Sequence, residues 1–258
     1  MTTVVCDLDG VVYLGRSEIP GAGKALQRLD DAGVRVLFAT NNSMRPPGEV
    51  ARRIVEITGY SATPDQILTS AMAAASMLAG TGAVCLVVGG QGIGAALADV
   101  GLQVVDDWQV ATAVVVGVDK DFGYEALDHA SRSLRAGARF IATNIDPTYP
   151  TDRGLLPGAG AVVAALATAS GITPEIAGKP HPPMRRLIAS MVDDPVWVIG
   201  DRVDTDIALA GDDWGAILVA TGISEGEAPP GVISKANLSG AVDFVLAQRD
   251  NAQDGPIT

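Results

Sequence analysis

Residues 4–6 (Val-Val-Cys) form a short apolar run that stops on Asp7-Leu8-Asp9-Gly10. Burying an unpaired carboxylate costs far more than a buried methylene returns, so the run reads as a buried strand with both acids at its C-terminal edge. Ligands bind at that edge of an open α/β sheet. Alone, Asp-x-Asp-Gly is better read as an ordinary acidic turn. Three more clusters change its meaning. Thr40-Asn41-Asn42 closes the apolar run 34–39, Lys179 sits in Gly178-Lys179-Pro180, and Asp201, Asp204 and Asp206 follow the run 195–199. Together they supply acids, neutral hydrogen-bonding groups and one cation at strand ends. Three or more carboxylates on one edge repel one another and hold protons more tightly. A hard divalent cation relieves this, and Mg²⁺ takes one or two carboxylates, waters and a phosphate oxygen.

The elements that must position these groups alternate regularly. Strand 4–6 leads to a helix over about 21–32, strand 34–39 to a helix over about 47–58, and strand 84–88 to a helix over 95–100. Strands 102–105, 113–118 and 138–142 follow, with a helix over about 124–136. Residues 143–160 read as a long irregular loop, a type that is usually functional. Helix 161–170, helix 182–192, strand 195–199, helix 207–211 and strand 216–219 complete the pattern, and the polar tail beyond about 248 is expected to fray. The fold class is α/β, with parallel sheets covered by helices. One echo stands out: Phe38-Ala39-Thr40-Asn41 recurs as Ile141-Ala142-Thr143-Asn144, each closing a strand.

Composition narrows the function. The 258 residues are 48% hydrophobic and 19% charged, enough for one large domain or two modest ones. A net charge of −12 without a basic patch argues against nucleic acid. Cys6 and Cys85 lie inside apolar runs, as small core residues do. No signal peptide and no apolar run of membrane-spanning length is read, so a soluble cytoplasmic protein is expected.

The order of the clusters resembles the haloacid-dehalogenase superfamily of phosphohydrolases. Thr40-Asn41-Asn42-Ser43, Gly178-Lys179-Pro180 and Gly200-Asp201-Arg202-x-x-Thr205-Asp206 look like its NagD-like, nitrophenylphosphatase branch, over nearly the whole chain. The resemblance implies a Rossmann-like core (1–80 and 178–258) and an inserted α/β cap of C2 type (81–177). It implies Asp7 as the nucleophile that forms an aspartyl-phosphate, and Asp9 as general acid and base. It implies Mg²⁺ on the Asp7 carboxylate, the Asp9 carbonyl and Asp201, with Asp206 behind them, and the phosphoryl group held by Thr40, Asn41, Asn42 and Lys179. The implied activity is hydrolysis of small phosphorylated metabolites such as sugar or polyol phosphates, glycerol phosphate or phosphoglycolate. A homodimer through the cap is a further implication. The loop 144–150 is the natural specificity element, and its Thr148-Tyr149 stands where vitamin-B6 phosphatases carry a histidine, which argues against pyridoxal phosphate.

A rival lies between 84 and 107. An apolar strand followed by Gly90-x-Gly92-x-x-Ala95, with Asp106 and Asp107 after the next strand, fits a dinucleotide-binding turn of a nicotinamide-dependent oxidoreductase or nucleotide-binding module. Such matches arise by chance in glycine-rich turns, and this one leaves Asp7, Asp9, Lys179 and Asp201 unexplained. Asp204 reads as a helix N-terminal acid. His129 reads as structural, His181 has no assigned role, and Trp108, Trp197 and Trp214 read as core or rim.

Overall fold

Thr3 and three apolar residues that follow it, all buried, make the first strand, β1 (Thr3–Cys6). The computed structural model describes residues 2–151, 154–192, 195–222 and 228–253. After β1 come a small antiparallel hairpin, β2 (Tyr13–Leu14) and β3 (Ser17–Glu18), then α1 (Ala22–Asp31), β4 (Arg35–Thr40), α2 (Pro47–Thr58), β5 (Ile67–Thr69) and α3 (Ser70–Ser76). The next stretch holds β6 (Val84–Val88), α4 (Gln91–Asp99), β7 (Gln103–Val105), β8 (Ala113–Val116), α5 (Tyr124–Arg135) and β9 (Arg139–Ala142). It continues with β10 (Thr148–Thr151), β11 (Gly154–Pro157), α6 (Ala159–Ser170) and β12 (Glu175–Ile176). Last are α7 (Pro182–Ala189), β13 (Val196–Gly200), α8 (Ala208–Ala210), β14 (Gly215–Val219), β15 (Ile233–Lys235) and α9 (Leu238–Gln253).

Two units result: residues 1–39, 51–67 and 188–258, and residues 40–50 and 68–187. One sheet has the order β15-β14-β13-β1-β4-β5. Its pairs from β15 to β4 are parallel, with Cys6 opposite Ile199 on one side and Phe38 on the other. The other sheet has the order β12-β9-β8-β6-β7 and is parallel throughout. This is the expected α/β architecture with parallel sheets, and near-continuous apolar strands such as VCLVV and AVVV are what sheets covered on both faces require. Phe38 in β4 is fully buried and meets the Tyr60 ring edge-on at 6.1 Å. Within the second unit a cluster of Val114, Val116, Phe140, Leu134, Val162 and Leu166 packs α5 and α6 against the sheet.

Three local expectations need correction. The segment 143–160 is not wholly irregular, because β10 and β11 pair antiparallel, Thr148 opposite Pro157 and Tyr149 opposite Leu156. Pro150 and Pro157 hide this hairpin from a strand pattern, since proline weakens strand propensity without forbidding an isolated ribbon. The helix expected at 207–211 begins earlier, as a π-helical turn over Val203–Ile207 that runs into α8. The tail does not fray at 248: α9 continues to Gln253, while 254–258 lie outside the described residues. Buried Ala241, Val242 and Val245 and an Arg28–Asp243 ion pair tie this helix down.

Truncating Phe38 to alanine removes a wholly buried ring and is expected to lower unfolding stability by about 3–5 kcal/mol. Denaturant unfolding of Phe38→Ala checks this, and a loss below about 1 kcal/mol would contradict the placement of the core.

Candidate active site

In the first unit, neighbouring parallel strands deliver the acids. The Asp7 N–H extends the ladder by donating to the Ile199 carbonyl at 2.9 Å, so the Asp7 side chain leaves the sheet directly beyond β1. Asp201 directly follows the last residue of β13, Gly200. Ligand oxygens of Asp7, Asp201 and Asp206 all lie within 4.8 Å of one another. Asp201 and Asp206 are each 1% exposed and Asp7 is half-buried. Hard carboxylate oxygens at that mutual spacing suit Mg²⁺, which tolerates few protein ligands and keeps waters. Asp206 is held by its own turn, its Oδ2 accepting from the Arg202 N–H at 3.1 Å.

Missing side chains create the space for these acids. A Cβ on Gly222 would lie 1.7 Å from Asp201 Oδ2, one on Gly10 2.6 Å from the same atom, and one on Gly200 2.1 Å from the Asp206 Cβ. Gly10 also has φ +91°, where L side chains are strained. The Thr221 hydroxyl donates to the Gly10 carbonyl at 2.6 Å and so fixes the wall opposite. The sequence reading missed Thr221 and Gly222, since neither carries a chemically suggestive side chain.

Asp9 follows Asp7 by two residues. It is half-buried and bridges to Tyr13, whose carbonyl accepts the Gly10 N–H at 2.8 Å. Burial first, and then the Asp9 charge, push the Tyr13 hydroxyl far above the usual phenol range, with Arg53 opposing. The Arg53 guanidinium lies 5.1 Å from the Tyr13 ring centre and donates to the Gly15 carbonyl, which pins the β2–β3 hairpin. Asp204 is exposed and forks onto Arg202 at 2.8 and 3.1 Å; that hydrogen bond holds its carboxyl below the usual range.

In the second unit, the turn after β4 and the segment after β12 form one network. The Thr40 hydroxyl accepts the Asn42 N–H at 3.1 Å, which leaves its hydrogen to donate elsewhere. Asn42 Oδ1 accepts the Met44 N–H at 3.0 Å. Asn41 is the hub. Its Oδ1 accepts the Lys179 N–H at 2.8 Å, and its Nδ2 donates to the Lys179 carbonyl at 3.2 Å and to Asp146 Oδ2 at 3.1 Å. Its main-chain carbonyl accepts from Ser70 Oγ at 2.6 Å and Asn144 Nδ2 at 2.7 Å. Lys179 is 5% exposed. The side chain of Asn41 thus serves Lys179; Ser70 is a partner the sequence did not single out, while Asn144 and Asp146 lie in the loop read there as a specificity element. Nearby, burial holds the His181 imidazole below its ordinary proton affinity, and Tyr149 is half-buried on β10.

The dinucleotide reading fails on geometry. A Cβ on Gly90 would lie 2.7 Å from the Met44 Cα, and one on Gly92 2.6 Å from the Ser43 carbonyl oxygen. The Gly92 N–H donates to the Met44 carbonyl at 3.2 Å. These glycines admit the chain's own segment 43–45 at the start of α4, where a pyrophosphate would need to sit. Trp108 stacks on His129 at 6.1 Å, and Trp197 meets Phe244 edge-on at 5.4 Å, so both rings pack.

Residues 4–103 match the family model described as haloacid dehalogenase-like hydrolase, and residues 176–236 match a second, HAD-hydrolase-like model. The D-glycerol 3-phosphate phosphatase of Mycobacterium tuberculosis is 44% identical over 209 residues, which is 79% of this chain but 58% of that enzyme. The acid sugar phosphatase of Staphylococcus aureus is 38% identical over 225 residues, 84% of this chain and 86% of that enzyme. The crystal structure of a glycerol phosphate phosphatase from M. tuberculosis in complex with magnesium superposes with a TM-score of 0.85 at 38% identity, covering 92% of this chain and 75% of that one.

Gly222→Ala places a methyl group where Asp201 Oδ2 now lies. It is expected to weaken Mg²⁺ binding by at least about tenfold, as loss of supporting contacts at metal sites does. Titration calorimetry with Mg²⁺ measures this, and wild-type affinity in the variant would contradict the described slot.

Proposed function

Because the chain belongs to the haloacid dehalogenase-like hydrolases, we propose that it is a Mg²⁺-dependent phosphomonoesterase for small phosphorylated metabolites, working through an aspartyl-phosphate. The observation that carries the reading is the close cluster of three acids beyond neighbouring parallel strands. Asp7 shares that cluster with Asp201 and Asp206, and Asp9 follows Asp7 by two residues. That arrangement suits two different tasks for two carboxylates two residues apart.

Mg²⁺ held by the carboxylates of Asp7 and Asp201 and the carbonyl of Asp9, with Asp206 in support, would offset charge that builds on the phosphoryl oxygens. A carboxylate oxygen of Asp7 attacks phosphorus while the bond from phosphorus to the ester oxygen breaks. Asp9 gives its proton to the departing alkoxide. A water then attacks the aspartyl-phosphate, its proton passes to Asp9, and Asp7 and inorganic phosphate are released. The Thr40 hydroxyl and the Lys179 ammonium are assigned to the transferring group, where positioning and charge neutralisation make up most of the catalysis. Asn42 orders the same turn and offers its side-chain amide. Asn41 contributes by holding Lys179.

The names of the similar enzymes favour glycerol phosphate and acid sugar phosphates as the substrate class. We assign 1–80 and 178–258 to the catalytic core and 81–177 to a cap that excludes water and chooses the leaving group, which the strand membership of the two sheets supports. The β10–β11 hairpin, with Tyr149, is the specificity element of that cap. A cytoplasmic location belongs to the same reading, supported by two buried cysteines, Cys6 and Cys85, that form no disulfide. A homodimer through the cap belongs to the same reading, supported by exposed Val104 on the edge strand β7.

Purified protein with Mg²⁺ is expected to release phosphate from nitrophenyl phosphate and from glycerol or sugar phosphates, and chelation to stop it. Asp7→Asn should abolish turnover with the fold retained by circular dichroism, and Asp9→Asn should come close to that. No phosphate from a broad phosphomonoester panel would sink the reading, and an active Asp7→Asn would sink the nucleophile.

A further inference from the structure

The repeated tetrapeptide acquires a meaning in the second unit, because its two copies bind each other. Ser43 Oγ, two residues past Asn41, is 3.1 Å from Thr143 Oγ1. The Asn144 amide donates to the Asn41 carbonyl at 2.7 Å, Asn144 Oδ1 accepts the Asp146 N–H at 3.0 Å, and Asp146 Oδ2 accepts from Asn41 Nδ2 at 3.1 Å. These three bonds close a ring from Asn41 back to Asn41. Asn144 is 5% exposed, and the Asp146 carbonyl is itself pinned by the Gly160 N–H at 3.0 Å, at the start of α6.

The ring fixes which way the Asn41 amide faces. Its oxygen must meet the Lys179 N–H, and its two N–H bonds must meet the Lys179 carbonyl and the Asp146 carboxylate. A carboxylate only accepts, so it holds the amide nitrogen on its own side. Turned over, the amide would set donor against donor at Lys179, and partly buried groups left unsatisfied are costly. The backbone of Lys179 is thereby clasped from both sides by one side chain. Gly178 permits this close approach, since a Cβ there would lie 2.5 Å from Asn41 Oδ1.

We propose that Asn144 and Asp146 are positioning residues for Lys179, acting through Asn41. The inference rests on the phosphatase reading, in which Lys179 steadies the transferring phosphoryl. Neither residue need touch substrate. Their removal lets the Asn41 amide turn and the Lys179 backbone shift, and misplacement of about 1 Å can cost as much as a hundredfold in rate. The loss falls on the phosphoryl group common to all substrates, so it takes the same factor from every leaving group.

The test compares wild type, Asp146→Ala, Asp146→Asn and Asn144→Asp on nitrophenyl phosphate and glycerol phosphate with Mg²⁺. Asp146→Ala is expected to lower kcat about 10- to 100-fold on both substrates by a common factor. Asp146→Asn retains an acceptor for Asn41 and should return kcat to within about threefold of wild type. Asn144→Asp keeps the acceptor for the Asp146 N–H but loses the donor to Asn41, and should lower kcat uniformly even where the alanine variant does not fold. Wild-type kcat in Asp146→Ala or Asn144→Asp overturns the proposal. So does equal loss in Asp146→Ala and Asp146→Asn, or losses that differ between substrates. An inactive wild-type enzyme instead overturns the phosphatase reading, and this inference falls with it.

Discussion

Asp7, Asp201 and Asp206 bring carboxylate oxygens within 4.8 Å of one another, with two of the side chains almost wholly buried. At about 4 Å and an effective dielectric near 20, two like unit charges repel by about 4 kcal/mol. No folded domain with a net stability of roughly 5–15 kcal/mol accepts several such pairs without compensation. A bound divalent cation turns the repulsion into attraction. Much of the first unit's local architecture follows from that constraint. Parallel strands β1 and β13 end side by side, so each acid leaves the sheet at its edge and not within it. Glycines at 10, 200 and 222 clear the volume the carboxylates fill.

The second unit solves a different problem: how to hold a lysine backbone at the end of a long excursion of the chain. It does so with one amide. Asn41 makes two hydrogen bonds to Lys179, 138 residues away, and is itself held by Ser70, Asn144 and Asp146. Networks of this kind are stable only when every member is satisfied, and they then specify one geometry. The rigidity suits the role proposed for Lys179, that of meeting a transferring phosphoryl in a single orientation.

Much of this is legible in the amino-acid sequence. Acids that terminate apolar runs, at Asp7 and Asp201, announce a sheet edge, because burial cost forbids them deeper in the strand. Regular alternation of strands and helices announces parallel sheets. Hydrogen bonds between distant residues leave no such trace. The echo of Thr40-Asn41 in Thr143-Asn144 was visible, yet nothing in four residues says that the copies pair. The turn at Gly90 and Gly92 was misleading for a related reason. Glycine spacing reports that backbone or ligand comes close, and here the close neighbour is the chain's own segment 43–45. The hairpin at Thr148–Pro157 was hidden by its prolines, and the last turn of α9 by its polar sequence, since that helix is held by packing on one face only.

A trapped intermediate tests the proposed division of labour between Asp7 and Asp9 most directly. Nitrophenolate departs without being protonated, so the Asp9→Asn variant, mixed with nitrophenyl phosphate and Mg²⁺ and quenched in acid, should carry a phosphoryl group because the water step lacks its base. Peptide mass spectrometry should place it on Asp7. Phosphorylation of another side chain, or transfer of phosphate straight to water with no modified protein at any time point, would contradict the account.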